Sequence, residues 1–132
     1  MIRVVLDTSI LIYSLNARID LISELKELLG GKQELLIPSI VIKELEEISN
    51  YRGERGTYAR IALDMLRELM KKDVIKKLEI KKKKTIDRSL LEICKELNAY
   101  LATADIKLRK DALNENIRVI YPRKSKKKLV IT

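Results

Sequence analysis

Of the 19 acidic residues in this 132-residue sequence, four are placed where carboxylate chemistry could occur: Asp7, Glu44, Asp87 and Asp105. Asp7 follows the strand-like run Ile2–Leu6, and Asp105 follows Tyr-Leu-Ala-Thr-Ala. Each therefore sits at or just past the carboxyl end of a strand. If those strands are neighbours, the two carboxylates converge, and like charges held close are costly without a cation between them. Mg²⁺ or Mn²⁺, one ion or two, would supply that charge and accept oxygen ligands. Taken singly, each Asp reads equally well as a turn or helix cap, Asp7-Thr8-Ser9 above all. The case rests on the acids taken together.

Glu44 and Asp87 are singled out by helical geometry. At 100° per residue, Val41, Leu45 and Ile48 define an apolar stripe, and Glu44 lies roughly 60–70° from its centre. Lys43, Glu46 and Glu47 lie further round. Asp87 lies about 60° from the apolar centre of Ile86–Leu97, with Arg88, Glu92 and Lys95 outward. An acid beside an apolar face needs a partner. Two partners are open at this point: a buried Lys or Arg, or a metal ion shared with Asp7 and Asp105. Asp20, Asp64 and Asp73 read as first-turn, surface and loop acids. Asp111, on the helix after Asp105, could reach the same cleft in a supporting role.

The rest of the composition narrows the chemistry. There is no histidine and one cysteine, Cys94. A Ser-His-Asp triad, a Cys-His pair, imidazole ligands, an internal disulfide and a Cys-based zinc site are all excluded. Cys94 falls on an inward helix face and reads as core. With no histidine, activation of water falls to carboxylates and hard cations.

The net charge of +9 favours a polyanion such as nucleic acid. The residues expected to grip a phosphate backbone are Arg52, Arg55, Lys81, Lys82, Lys83, Lys84, Lys107, Arg109, Lys110, Arg123 and Lys124. A solvated sheet edge is the plainer reading of each lysine run. Tyr51 and Tyr58 could stack on unpaired bases or simply pack. Gln33 is the only glutamine beside abundant Lys, Glu and Ile, a pattern resembling heat adaptation.

The elements that must position these residues follow from periodicity and breakers. Strands are expected at Ile2–Leu6, Leu35–Ile37, Val74–Ile80, Ala99–Thr103 and Ile117–Tyr121, with a short terminal strand at Leu129–Thr132. Helices are expected at 18–29, stopped by Gly30-Gly31, at Ser39–Asn50 with Ser39 as N-cap, at Tyr58–Lys72, at Thr85–Asn98 and at Ile106–Asn114. Arg52–Gly56 (RGERG) reads as a flexible basic loop. The alternation implies an α/β fold whose sheet is mainly parallel and whose ligand site lies at the carboxyl ends of the strands. The length suits one domain over 1–132, with a basic C-terminal segment at 122–132. No apolar run is long enough to span a membrane, and the strand-like N-terminus argues against a signal peptide, so a cytoplasmic protein is expected.

The order Asp7-Thr8-Ser9, Pro38-x-x-Val41-x-x-Glu44-Leu45, Asp87, Thr103-x-Asp105-x-x-Leu108 resembles a PIN domain, over essentially the whole chain from Val4 to the final strand. The resemblance implies a three-layer α/β/α fold with a five-stranded sheet of order 3-2-1-4-5. It also implies a cleft of acids holding Mg²⁺ or Mn²⁺, and endonucleolytic cleavage of RNA. Carried over by position, Asp7, Glu44, Asp87 and Asp105 match the acidic set. Asp7 and Asp105 are direct ligands, Asp87 a direct or water-mediated one, and Glu44 a ligand through water or a base. Thr8 or Ser9 matches a supporting hydroxyl, and Thr103 the Thr of the T-x-D motif. The usual Asn before the last Asp is Ala104 here. The ending, from Tyr100 to Asp105 and from Arg118 to Leu129, resembles the PIN proteins that process small-subunit ribosomal RNA and their archaeal counterparts. VapC toxins, the other large branch, share the length and the acids. Related domains often dimerise, which leaves a homodimer open, and an antitoxin partner is expected only in the second branch. A weakly active RNA-binding assembly factor is the remaining alternative within the family. A receiver or a haloacid-type phosphatase fits poorly, because Thr103-x-Asp105 stands where a receiver needs its lysine and no D-x-D follows the first strand.

Overall fold

A computed structural model describes residues 1–82, 85–123 and 127–132. The first strand, β1 (Ile2–Leu6), runs through the middle of the molecule, and its Val4, Val5 and Leu6 are wholly buried. Burial on both faces is what a parallel sheet flanked by helices demands, and it explains an unbroken apolar run. Helices α1 (Thr8–Asn16) and α2 (Leu21–Leu29) follow, then β2 (Gln33–Pro38), α3 (Ser39–Ile48), α4 (Glu54–Lys71) and β3 (Ile75–Leu78). The second half comprises α5 (Ile86–Leu97), β4 (Tyr100–Ala102), α6 (Ile106–Asn114), β5 (Val119–Arg123) and β6 (Lys128–Ile131).

The sheet has six strands in the order β3-β2-β1-β4-β5-β6, with helices on both faces. Val5 pairs with Leu36 on one side and Leu101 on the other, both in parallel. The chain goes to one side of β1 for its first half and to the other side for its second. A crevice therefore opens at the carboxyl ends of β1 and β4, where strand order reverses. The expected order of the first five strands is found, and β6 adds an antiparallel sixth, with Tyr121 opposite Val130. An antiparallel neighbour needs only a short connection, and β6 begins at Lys128, close in sequence to the end of β5 at Arg123.

Several local expectations are corrected. Helix α1 has no counterpart in the sequence reading. Its Ile10 and Leu11 are buried and Ile12 and Leu15 pack against the core, so apolar residues surround much of the helix and leave no stripe to read. Pro38, not Ser39, occupies the cap position of α3 and makes no side-chain cap bond. The Ser39 hydroxyl instead donates to the Ile80 carbonyl and accepts from the Ile80 N–H, tying α3 to the segment after β3. RGERG is not a loop throughout: α4 begins at Glu54, after Gly53 at φ 88°. Gly56 is buried, and a Cβ there would lie 2.0 Å from the Tyr51 carbonyl oxygen. That close approach lets α3 turn directly into α4. Strand β5 extends to Arg123, so Pro122 and Arg123 belong to the sheet and not to the connection. Lys83, Lys84 and Lys124 lie outside the described residues.

Candidate functional site

Asp7 is the first residue after β1 and the N-cap of α1. Its carboxylate is 3% exposed. The Ile10 N–H donates to its Oδ1 at 2.8 Å, and the Ser9 hydroxyl donates to the same group at 2.8–2.9 Å. From across the sheet, the buried Thr103 hydroxyl donates to Oδ2. These bonds favour the charged form, yet burial outweighs them and pushes the Asp7 carboxyl up to about 7, with Asp105 adding a smaller push the same way.

Asp105 lies three residues past β4 and caps α6, its Oδ1 accepting from the Leu108 N–H at 3.1 Å. Its own N–H donates to the Thr103 hydroxyl oxygen at 3.0 Å, and the Ala104 N–H donates to Ser9 at 2.9 Å. Ser9 and Thr103 stand 3.1 Å apart. One network thus joins the ends of β1 and β4 and fixes Asp7 relative to Asp105. The cap reading of each Asp is correct, and it does not compete with convergence.

Glu44 comes in from α3, half-buried, and accepts a hydrogen bond from the Thr8 hydroxyl. Asp87, in the first turn of α5, is also half-buried. Its carboxyl is held above the ordinary range, first by burial and then by Asp105, with Glu44 and Asp111 adding and Lys107 opposing. The field at Asp87 therefore reports the other acids from α3, from the end of β4 and from α6. Asp111 is paired with Lys107 at 3.5 Å.

Among the described residues, none of Asp7, Glu44, Asp87 and Asp105 has a lysine or arginine at ion-pair distance, whereas Glu34, Asp64 and Glu115 each do. The partner that a buried acid requires is not a basic side chain. An oxygen-only donor set with uncompensated negative charge suits a hard divalent ion such as Mg²⁺ or Mn²⁺. Among the described residues no three acidic side chains stand close enough to chelate one ion directly. Contact by one or two carboxylates with water completing the shell is the coordination Mg²⁺ favours.

Two clefts flank the acids. One, of about 250 Å³, is lined by Asp105, Thr103, Ile106 and Arg109 with Tyr13, Tyr121 and Arg123. The other, of about 300 Å³, is lined by Glu44, Lys43 and Lys82 with Ser39, Ile80 and Ile86. Of the basic residues expected to hold a polyanion, Arg109, Arg123 and Lys82 line these clefts, and Lys107 and Lys110 share α6 with Arg109. Lys81 borders a separate groove with Glu79 and Glu92. Arg52, Arg55 and Tyr51 are exposed where α3 passes into α4, Tyr58 is half-buried there, and none of the four lines either cleft. Tyr13 and Tyr121 were missed by sequence reasoning. The usable signal was position: one lies two turns along the helix that Asp7 caps, the other in a strand neighbouring the one before Asp105.

Comparison with known proteins agrees with this architecture. A family model described as a PIN like domain matches residues 4–125. Ribonuclease VapC9 of Archaeoglobus fulgidus is 28% identical over 127 residues, which span 96% of this chain and 87% of that protein. Among solved structures, the PIN domain endonuclease Utp24 superposes with a TM-score of 0.77 at 22% identity, covering 98% of this chain and 90% of the other, a likeness of fold. A domain of a functionally unknown protein from Methanocaldococcus jannaschii gives a TM-score of 0.70 at 25% identity, covering 96% and 94%.

Proposed function

From the premise that this chain belongs to the PIN-like domain family, we propose that it is an endoribonuclease hydrolysing RNA phosphodiester bonds with Mg²⁺ or Mn²⁺ held by Asp7, Glu44, Asp87 and Asp105, in part through water. The observation that carries the reading is the buried Asp7, surrounded by hydrogen-bond donors and neighbouring acids and paired with no basic side chain among the described residues. The relationship to a protein named as a ribonuclease supports the same activity.

The chain's own groups divide the work. Ile10 N–H, Ser9 and Thr103 hold the Asp7 carboxylate in one orientation, and the start of α6 holds that of Asp105. Thr8 donates to Glu44, which would hold the ion through water or accept a proton from water. When bound, a divalent ion supplies the positive charge that offsets these carboxylates and the scissile phosphate. Lys107 and Lys110 on α6 present exposed or partly exposed ammonium groups to the backbone of the RNA, contacts that fix position without reading sequence.

For the substrate we favour structured ribosomal RNA, on the likeness of the chain's ending to ribosomal-RNA-processing PIN proteins. The kinship to VapC9 along nearly the full length favours a second reading, a toxin ribonuclease held by a small antitoxin. The deciding experiment incubates the protein with Mn²⁺ or Mg²⁺ and either precursor ribosomal RNA or total RNA, beside Asp7→Asn and Asp105→Asn. Loss of a direct carboxylate should exceed the roughly 10–100-fold that loss of a supporting partner costs. Cleavage by both variants at the parental rate would remove the catalytic assignment. Site-specific cutting of the precursor supports the first reading, and inhibition by the product of an adjacent small gene supports the second.

A further inference from the structure

The cleft between α1, α6 and the end of β5 has a construction that phosphate binding alone does not need. The Arg109 guanidinium lies over the Tyr121 ring, 4.1 Å from its centroid. Among the described residues the Arg109 guanidinium makes no ion pair or hydrogen bond, so its planar donors are uncommitted. Tyr13 and Pro122 form further wall, and Ile106 leaves 44% of its surface exposed at the same place. Asp105 is part of the same lining. The cleft is thus a slot of flat and apolar surfaces, with cationic Arg109 and Arg123 in its lining, that shares a residue with the acidic centre. Planar cations and aromatic rings are the groups on which unpaired bases stack, and the positive lining suits the attached phosphates.

We infer that this cleft is a nucleobase subsite: it takes one unpaired base of the RNA next to the cleaved phosphate, stacked against the Arg109–Tyr121 pair. The inference rests on the ribonuclease reading for the position of the phosphate. A base held there must leave its helix, so the subsite directs cutting to single-stranded nucleotides. It also gives Arg109 and Tyr121 a role in selecting substrate that is separate from the carboxylates.

The test is a binding measurement without divalent ions, kept apart from cleavage. A fluorescent single-stranded RNA decamer is compared with versions carrying one abasic position, moved along the strand. One position should weaken binding to the parent by about tenfold, the worth of a stacked base. That sensitivity should vanish in Tyr121→Leu and in Arg109→Lys, while Arg109→Lys keeps its response to salt. Because Tyr121 is partly buried, Arg109→Lys stands alone as a sufficient variant if Tyr121→Leu does not fold. Equal binding of all abasic oligomers, an Arg109→Lys protein that discriminates them as the parent does, or a parent that binds none of them would each overturn the subsite. The last result would leave the slot to a protein partner. Cleavage by the parent, lost in Asp7→Asn, tests the ribonuclease reading separately. Positional binding without cleavage would keep the subsite and remove the nuclease, and cleavage without positional binding would do the reverse.

Discussion

Asp7 bears on both stability and function, in opposite senses. Its folded pKa of about 7 lies above the ordinary aspartate value of 3.8, so between those limits the folded state binds more protons than the unfolded one. Stability from this group is complete below about pH 4 and is lost as pH rises through 7, on the order of 4 kcal/mol in full. Asp7→Asn should therefore raise the melting temperature in EDTA at pH 8, and the gain should shrink as the pH is lowered towards 4, while cleavage is lost. A thermal melt series across pH checks both halves. Thr103→Val keeps the volume and removes the hydroxyl that serves Asp7 and the Asp105 N–H. Urea denaturation should show a loss of about 1–3 kcal/mol, and cleavage should fall by roughly 10–100-fold.

The helices show why some of this could be read from the sequence and some could not. Glu44 and Asp87 were legible because amphipathic periodicity says where a charge meets the core boundary, and α3 and α5 keep that geometry. Helix α6 matched its expected bounds because Asp105 caps it with its own side chain. Helix α1 was illegible for want of a polar face, and the start of α4 because two glycines in RGERG resemble a loop. Only coordinates reveal that Gly56 serves close packing. Gly56→Ala should cost about 2 kcal/mol or more by urea denaturation, since the backbone of Tyr51 must move. The long-range partners of Ser39 were equally out of reach, because contacts across 41 residues leave no local signature. Between helices, Glu115 at the end of α6 grips Arg88 and Lys95 of α5, at 2.6 Å each. Arg88 first and Lys95 next hold the Glu115 carboxyl down at about 2. A depressed folded pKa gives stability above the unfolded value of 4.5 that is lost as pH falls towards 2. Glu115→Gln should melt earlier than the parent at pH 7, and the two curves should meet near pH 2. The carriers of Asp87 and Asp105 would then be less firmly joined, so weaker cleavage by this variant is also expected.

At the scale of the whole molecule, the chain carries a net charge of +9 beside candidate acids that have no basic ion-pair partner among the described residues. Association with RNA should therefore weaken steeply with salt. Lys82→Ala and Lys110→Ala should each lower the slope of log affinity against log salt by about 1 where the lysine meets a phosphate, with little change in sequence preference. Titration at several salt concentrations measures this. The sheet itself divides between β1 and β4, the first half of the chain on one side and the second on the other, and Ser9 and Thr103 meet across that seam. Each hydroxyl owns a single hydrogen. The N–H groups of Ala104 and Asp105 can only donate, so each takes one lone pair of its hydroxyl oxygen and leaves the hydroxyl hydrogen available to Asp7. With Ile10 N–H as a third donor, the wiring suits an Asp7 that carries no hydrogen of its own. Above about pH 7 the seam between the two halves of the sheet holds a buried anion, and a ligand that neutralises it without protonating it restores the stability that its charging removes.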